Sequence, residues 1–531
     1  MSTTLHALVA PRRERTLTAS LVRMMPWVAA ALVLAVGVAI IDPLPVGVVH
    51  DDGMYVVLAK ALVTGQGYRW IHVPGAPAAT HFPPGYPVLL ALLWLLAPAF
   101  PQNVLLFKLA NACFIAAGAG VLTVFARERF TMSSPGAAAF AASSMLGIPV
   151  LTLSVMVMSE PLFLVLLISI LLFAERLVDA PERRRRDIVL LALATGVATL
   201  VRTHGIALIA ALPIVLVWKR RRVSDAFLFG VVALLVVVPW QLWSSAHSGV
   251  VPQVMRGNYE SYGAWLASGL RANGLGLLWR TAGRTSIEII AMFATLTAPG
   301  FGAVPRFTAL AVLTLLYVLG GRSFAKTAPV STLFLGLYAM IVILWPFTPA
   351  RFLWGVWPLV LAPPLLGARE VLRWRPAPVT LRVLRRAGAV AVLGVAAGYS
   401  LYTARGYRGR WWGSIPRNGA ANLFPLVVWA AERTAPTDVL AVEGESAVYL
   451  YANRRTVPVH TFTVEQYFHT RTPREEADII RAIVGSYHVD AVALTTPTML
   501  AAASLLTSQT PPVLALSDSF PGGLVFKPIY R

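Results

Sequence analysis

A chain of 531 residues that is 57% hydrophobic, 13% charged and has a mean hydropathy of +0.68 is too apolar for a soluble globular protein, in which about a quarter of residues are charged. Its formal charge of +21, from 45 Lys+Arg against 24 Asp+Glu, falls in short basic clusters between apolar runs, which is the positive-inside pattern of a polytopic membrane protein and not a nucleic-acid surface. The single cysteine, Cys113, excludes an intramolecular disulfide and argues against a cysteine metal site.

Residues 1–23 are basic, with Arg12, Arg13, Arg15 and Arg23, and read as a cytoplasmic N-terminus. The apolar run at about 24–41 is longer than a signal-peptide core and has no obvious small-residue cleavage site, so it reads as a retained first membrane helix. Residues 42–103 then form a first extracytoplasmic loop. It contains the stretch Asp51–Pro87, a long polar interruption that opens on two adjacent carboxylates and closes on the rigid turn HFPPGYP. Residues 53–64 and 86–99 are apolar but shorter than the roughly 20 residues of a span, and both read as interfacial helices.

The non-spanning assignment of 86–99 sets the parity of the helices that follow. Spans at about 104–126, 134–151, 157–176, 187–202, 204–218 and 226–246 then put Arg127 with Arg129, Arg183–Arg186 and Lys219–Arg222 all on one face. Residues 247–304 form a second extracytoplasmic region, in which the apolar piece 286–297 is also taken as non-spanning. Spans at about 305–321, 328–346, 352–369 and 387–404 return Arg322, Lys326 and the cluster Arg369, Arg373, Arg375, Arg382, Arg385 and Arg386 to the same face. The expectation is therefore about eleven membrane helices plus interfacial helices, filling residues 24–404. Residues 405–531 change character. DVLAV (438–442), TVPVH (456–460), DAVAL (490–494) and PVLAL (512–516) read as strands, and 473–488 as a helix with Pro473 at its start. This segment is expected to be a small extracytoplasmic α/β domain.

Acids are scarce, so those next to apolar helices stand out. Asp51 and Asp52 follow the first helix, where a carboxylate serves either as a reactive group or as the cap of the helix GMYVVLAKALVT. Glu160 begins an apolar helix with Pro161 behind it, and the same two readings apply. Arg202 and His204 occupy one outer turn, ATLVRTHGIAL, and Arg351 another, WPFTPARFLW. With Lys60, Arg69, His72 and His81 of the first loop they are candidates to bind a phosphate group, against the bland alternative of contact with lipid phosphates. Pro83 and Pro84 restrict the backbone, and Gly85 allows a sharp change of path before Tyr86. A divalent ion, if one binds here, would be held by Asp51 or Asp52 with His81, a weak signal by spacing.

The ordered set Asp51-Asp52-Gly53-Met54-Tyr55, then His81-Phe82-Pro83-Pro84-Gly85-Tyr86-Pro87, resembles the GT-C superfamily of membrane glycosyltransferases. It is most similar to the branch holding protein O-mannosyltransferases and the lipid A aminoarabinose transferases. That family usually has Asp-Glu where this chain has Asp-Asp. Glu160-Pro161, the LVRTHG turn, the PARFLWGVWP turn and a soluble C-terminal domain also look like family features. The resemblance implies transfer of one sugar from a polyprenyl-phosphate carrier to a glycan, lipid or protein acceptor on the extracytoplasmic face, with inversion. It implies Asp51 as the base, with Asp52 or Glu160 orienting the acceptor or holding a metal. Arg202 and Arg351, with Lys60 and His81 beside them, would bind the carrier phosphate, and Tyr55, Pro83, Pro84, Tyr86 and His204 would form the substrate loop. The high Arg and Ala content points to a GC-rich bacterial genome, hence to a multi-pass protein of a bacterial plasma membrane with its C-terminal domain outside. The alternatives are a ligase or polymerase of polyprenyl-linked glycans, a lipid or sugar transporter, and a catalytically inert scaffold of the same fold.

Overall fold

The computed structural model describes residues 6–180, 184–220, 222–376 and 378–530. Arg183 and Arg221 of the expected basic clusters, and the side chains of Arg12, Arg13, Arg15 and Arg220, lie outside what is described.

The first helix, α1 (His6–Ala39), leads into a loop and then α2 (Asp51–Val63) and α3 (Gly85–Leu96). The last two are 13 and 12 residues long, about 20 Å each, too short to cross a hydrocarbon core of about 30 Å. Helices α4 (Val104–Arg129), α5 (Ser134–Met145), α6 (Ile148–Ser154), α7 (Glu160–Asp179), α8 (Arg185–Val201), α9 (Ile206–Arg220) and α10 (Val223–Ala246) follow. Helix α4 packs against α1, α5 and α7.

The helix expected at 134–151 is broken between α5 and α6 by a bend of 61°. Gly147 precedes the new helix and Pro149 sits in its first turn, where a missing N–H costs nothing. After α10 come α11 (Arg256–Tyr259), α12 (Tyr262–Asn273) and α13 (Gly276–Thr297), so the apolar piece 286–297 is the end of a longer helix. Helices α14 (Ala303–Thr327), α15 (Pro329–Leu344), α16 (Ala350–Trp354), α17 (Trp357–Arg373) and α18 (Val379–Gly409) complete the bundle. Among the described residues six helices are long and apolar enough to cross a membrane by themselves, and the bent pair α5–α6 makes up to seven. Shorter apolar helices lie at Gly85–Leu96, Thr203–Lys219 and Pro329–Leu344.

Beyond α19 (Ser414–Arg433) the chain forms a five-stranded mixed sheet in the order β2-β1-β3-β5-β4, made of β1 (Val439–Val442), β2 (Arg455–Pro458), β3 (Ala491–Leu494), β4 (Leu514–Phe520) and β5 (Gly523–Pro528). Helices α20 (Glu445–Ala452), α21 (Pro473–Ser486) and α22 (Pro497–Ser508) join the strands. The first three strands pair in parallel, as helical crossovers require. β4 and β5 form an antiparallel hairpin around Pro521 and Gly522, the latter at φ 87. β5 is absent from the strands expected from sequence. The helix expected at 473–488 is α21, opened by a Thr472–Glu475 capping box.

This sheet domain docks on the first loop. The Thr456 N–H donates to the His72 carbonyl at 2.8 Å. A Cβ on Gly53 would meet Ser446 Oγ and come 2.6 Å from the Gly47 Cα, so only glycine lets α2 approach α20 this closely.

Candidate active site

Three charged residues, Asp51, Arg202 and Arg351, line one cavity of about 480 Å³. Its walls include Asp51 and Tyr55 of α2, Thr80–Pro83 of the HFPPGYP turn, Arg202–His204 between α8 and α9, and Arg351 of α16. Aromatic side chains of Trp240, Tyr262, Trp265, Trp345, Phe347 and Phe352 make up much of the rest.

Local structure aims each group. The segment before α7 is irregular, and Asn111 of α4 pins it by donating to the carbonyls of Met156 (2.9 Å) and Met158 (3.2 Å). Tyr86 in turn donates to Asn111 Oδ1 at 3.2 Å. Glu160 then falls in the first turn of α7 with Pro161 behind it, where the helix dipole favours an acid. Arg202 caps α8 in an extended conformation. Gly85 permits this, since a Cβ there would lie 2.7 Å from the Leu200 carbonyl.

The centre is a chain of charges. Arg351 donates from Nε to Glu160 Oε1 at 2.6 Å and from its NH1 nitrogen to Asp51 Oδ2 at 2.7 Å. Arg202 reaches the same Glu160 Oε1 at 2.8 Å and also donates to Ser159 Oγ at 3.1 Å. Ser159 is hydrogen-bonded to the Tyr55 hydroxyl at 3.1 Å. Glu160 is 1% exposed, and its second oxygen has no hydrogen-bond partner among the described residues. Burial pushes the Asp51 carboxyl upward, but the Arg351 charge and hydrogen bond outweigh it and hold Asp51 below the usual range.

The two adjacent acids therefore differ. Asp52 is 2% exposed and does not line the cavity. Its Oδ1 accepts the N–H groups of Val49 (3.1 Å) and Gly53 (2.9 Å), which closes the turn ahead of α2, and burial pushes its carboxyl up. The separation follows from the helix: positions 51 and 55 share a face, while 52 points about 100° away.

His81 lines the cavity, donates from Nδ1 to the Glu260 carbonyl at 2.5 Å and lies tilted against the Tyr262 ring, centroids 4.1 Å apart. Burial lowers its pKa to about 4, so it is neutral at physiological pH and presents Nε2 as an acceptor. His204 lines the wall beside Phe352. Pro83 is at the cavity, whereas Pro84 is the N-cap of α3 and Tyr86 is buried behind it. Lys60 is elsewhere, its ammonium over the Tyr449 ring at 4.5 Å. Among the described residues no three His, Cys, Asp or Glu side chains come together as metal ligands would. Asp51, Asp52 and His81 are engaged by Arg351, backbone N–H groups and a carbonyl respectively.

Sequence reasoning passed over His50 and Phe462, which also line the cavity. His50 sits directly before the acidic pair at φ 66, a left-handed conformation that a residue with a Cβ rarely adopts. Phe462 comes from the C-terminal domain, and no local pattern marks it.

Comparison with known proteins agrees with this architecture. A family model described as dolichyl-phosphate-mannose-protein mannosyltransferase matches residues 81–243. ArnT from Cupriavidus metallidurans bound to undecaprenyl phosphate is similar over 95% of this chain and 97% of its own, at 14% identity and TM-score 0.53. The apo state of the same protein matches over 94% and 97%, at 16% identity and TM-score 0.54. The archaeal oligosaccharyltransferase AglB from Archaeoglobus fulgidus, in complex with an inhibitory peptide and a dolichol-phosphate, covers 92% of this chain and 71% of its own, at 13% identity and TM-score 0.50. Comparison with curated proteins by sequence gives no match. The chain has the fold of ArnT, and among the described residues six helices, or up to seven with the bent pair, are long and apolar enough to cross a membrane.

Proposed function

We propose that this chain of GT-C fold moves a single sugar from a polyprenyl-phosphate carrier to an acceptor hydroxyl, with inversion at the anomeric carbon. The observation that carries the reading is the Asp51–Arg351–Glu160–Arg202 chain, whose Asp51, Arg351 and Arg202 line an aromatic cavity. It supplies the two things this reaction needs, a carboxylate base and cations for a departing phosphate.

The acceptor oxygen attacks the anomeric carbon as its proton passes to a carboxylate oxygen of Asp51. The carbon–oxygen bond to phosphate breaks, and its electron pair leaves on the phosphate. A phosphate monoester is already a good leaving group, so no general acid is required. Its charge is met by Arg351 and Arg202, which Glu160 holds side by side. The donor phosphate competes with Asp51 for Arg351, so donor binding frees the base. Neutral His81, with Nε2 as acceptor, suits a sugar hydroxyl better than a phosphate. The aromatic walls suit the carrier lipid and the sugar face. Location in a bacterial plasma membrane, with this cavity on the extracytoplasmic side, belongs to the same proposal.

The test offers reconstituted protein a panel of radiolabelled polyprenyl-phosphate sugars and polyprenyl-diphosphate glycans. One monophosphate sugar should be consumed, giving a product of opposite anomeric configuration. Consumption of diphosphate-linked glycans alone, or lipid translocation without transfer, would overturn the reading.

A further inference from the structure

A second cavity of about 590 Å³ opens between the first-loop segment Gly47–His50 and the C-terminal domain. Val49, His50 and Phe462 line both cavities, so the two meet beside Asp51. Their walls differ in kind. The first is aromatic around two arginines. The second carries Glu443, Glu445 and Glu476 against the single guanidinium of Arg471, with His460 and Gln466 between them.

These polar groups are fixed in place. Glu443 accepts from the Thr496 N–H at 3.0 Å and from the Thr495 and Thr496 hydroxyls at 2.7 Å each. Glu445 Oε1 accepts from the Tyr259 hydroxyl at 3.1 Å and lies 3.6 Å from His50 Nδ1. Glu476 sits 3.5 Å from Arg471 and 3.4 Å from His460, and Gln466 is 3.1 Å from the far nitrogen of His460. A cavity with oriented acceptors and donors on opposing walls suits a ligand whose every polar group both donates and accepts, and this describes a hydroxyl. Three carboxylates facing one guanidinium disfavour an anionic ligand.

We propose that the second cavity is the acceptor subsite and takes a neutral, hydroxyl-rich saccharide, delivering one hydroxyl past His50 to Asp51. The inference rests on the reading of the Asp51 cavity as the transfer site. It assigns to the C-terminal domain the recognition of the acceptor, and it selects glycan over anionic lipid or acidic peptide.

The experiment uses the full chain in lipid nanodiscs. Saturation-transfer NMR is recorded with neutral gluco-, manno-, galacto- and arabino-oligosaccharides and with their uronate and phosphorylated counterparts. Two variants fill the cavity from different sides: Thr498→Trp on the inner wall and His469→Trp on the exposed rim. Undecaprenyl phosphate binding is measured in parallel and reports a folded first cavity. At least one neutral series should bind, each tryptophan should weaken it about tenfold or more, and undecaprenyl phosphate should bind all three proteins alike. The proposal is overturned if no neutral oligosaccharide binds wild type, if the anionic forms bind better, or if binding survives both variants. If saccharide binding behaves as expected but undecaprenyl phosphate binds none of the proteins, the saccharide site stands and the donor reading fails.

Discussion

At the residue scale, one guanidinium, that of Arg351, is shared by two acids, Glu160 and Asp51. Glu160 is the buried anchor, at 1% exposure, for Arg202 and Arg351. Removing it leaves the buried Arg202 without a carboxylate partner, beside an Arg351 balanced only by Asp51, so Glu160→Ala should destabilise the protein by about 3–5 kcal/mol. Thermal unfolding in detergent measures this, and loss of donor affinity should accompany it. The pH profile is a second consequence. Asp51 is held low by Arg351, so without ligand it stays ionised to below the ordinary aspartate range. Its contribution to stability is present above the unfolded-state value of 3.8 and is lost as pH falls through the depressed folded value. If donor phosphate takes Arg351 as proposed, burial is left less opposed and the Asp51 pKa should rise. The acid limb of kcat should therefore lie at higher pH than the acid limb of kcat/KM. Coincident limbs would show that Arg351 never leaves Asp51.

At the element scale, α2 shows what could and could not be read in advance. Asp51, Glu160, Arg202 and Arg351 were legible because a charge beside long apolar helices needs a reason to be there. Their pairing was not legible, since Asp51 and Arg351 are separated by 300 positions. Helical phase separates Lys60 from Asp51: nine residues on, it is about half a turn out of phase, and its ammonium lies over Tyr449 instead of in the cavity. The long helices could be read because lipid-facing runs are continuous. The break at Gly147 could not, since apolar character continues across it and Pro149 is also acceptable at a helix start. His50 and Phe462 take their meaning only from the docking of the sheet domain on the loop. Gly53 controls that docking. Gly53→Ala should push α20 from α2 and cost about 1–3 kcal/mol, seen as faster limited proteolysis within residues 405–531. Unchanged proteolysis would mean that the two elements can separate without penalty.

At the scale of the whole molecule, the fold holds a polar site against an apolar bundle and covers it with a sheet domain. Helix α18 has 31 residues, about 46 Å, which is enough to carry the chain from a basic loop through a hydrocarbon core of about 30 Å to the C-terminal domain. The proposed orientation puts that loop and that domain on opposite sides of the membrane. In a Cys113→Ser background, an impermeant thiol reagent should label Ser508→Cys in intact cells and Arg382→Cys only after permeabilisation. Labelling of both from outside would contradict the topology. The central claim is that Asp51 is the base of a sugar transfer whose donor phosphate is held by Arg351 and Arg202. The most direct measurement is single-turnover transfer in reconstituted protein, wild type against Asp51→Asn, with donor binding recorded in the same samples. The account predicts a loss of about 10²–10⁴-fold in transfer with donor still bound. Normal turnover by Asp51→Asn would contradict it.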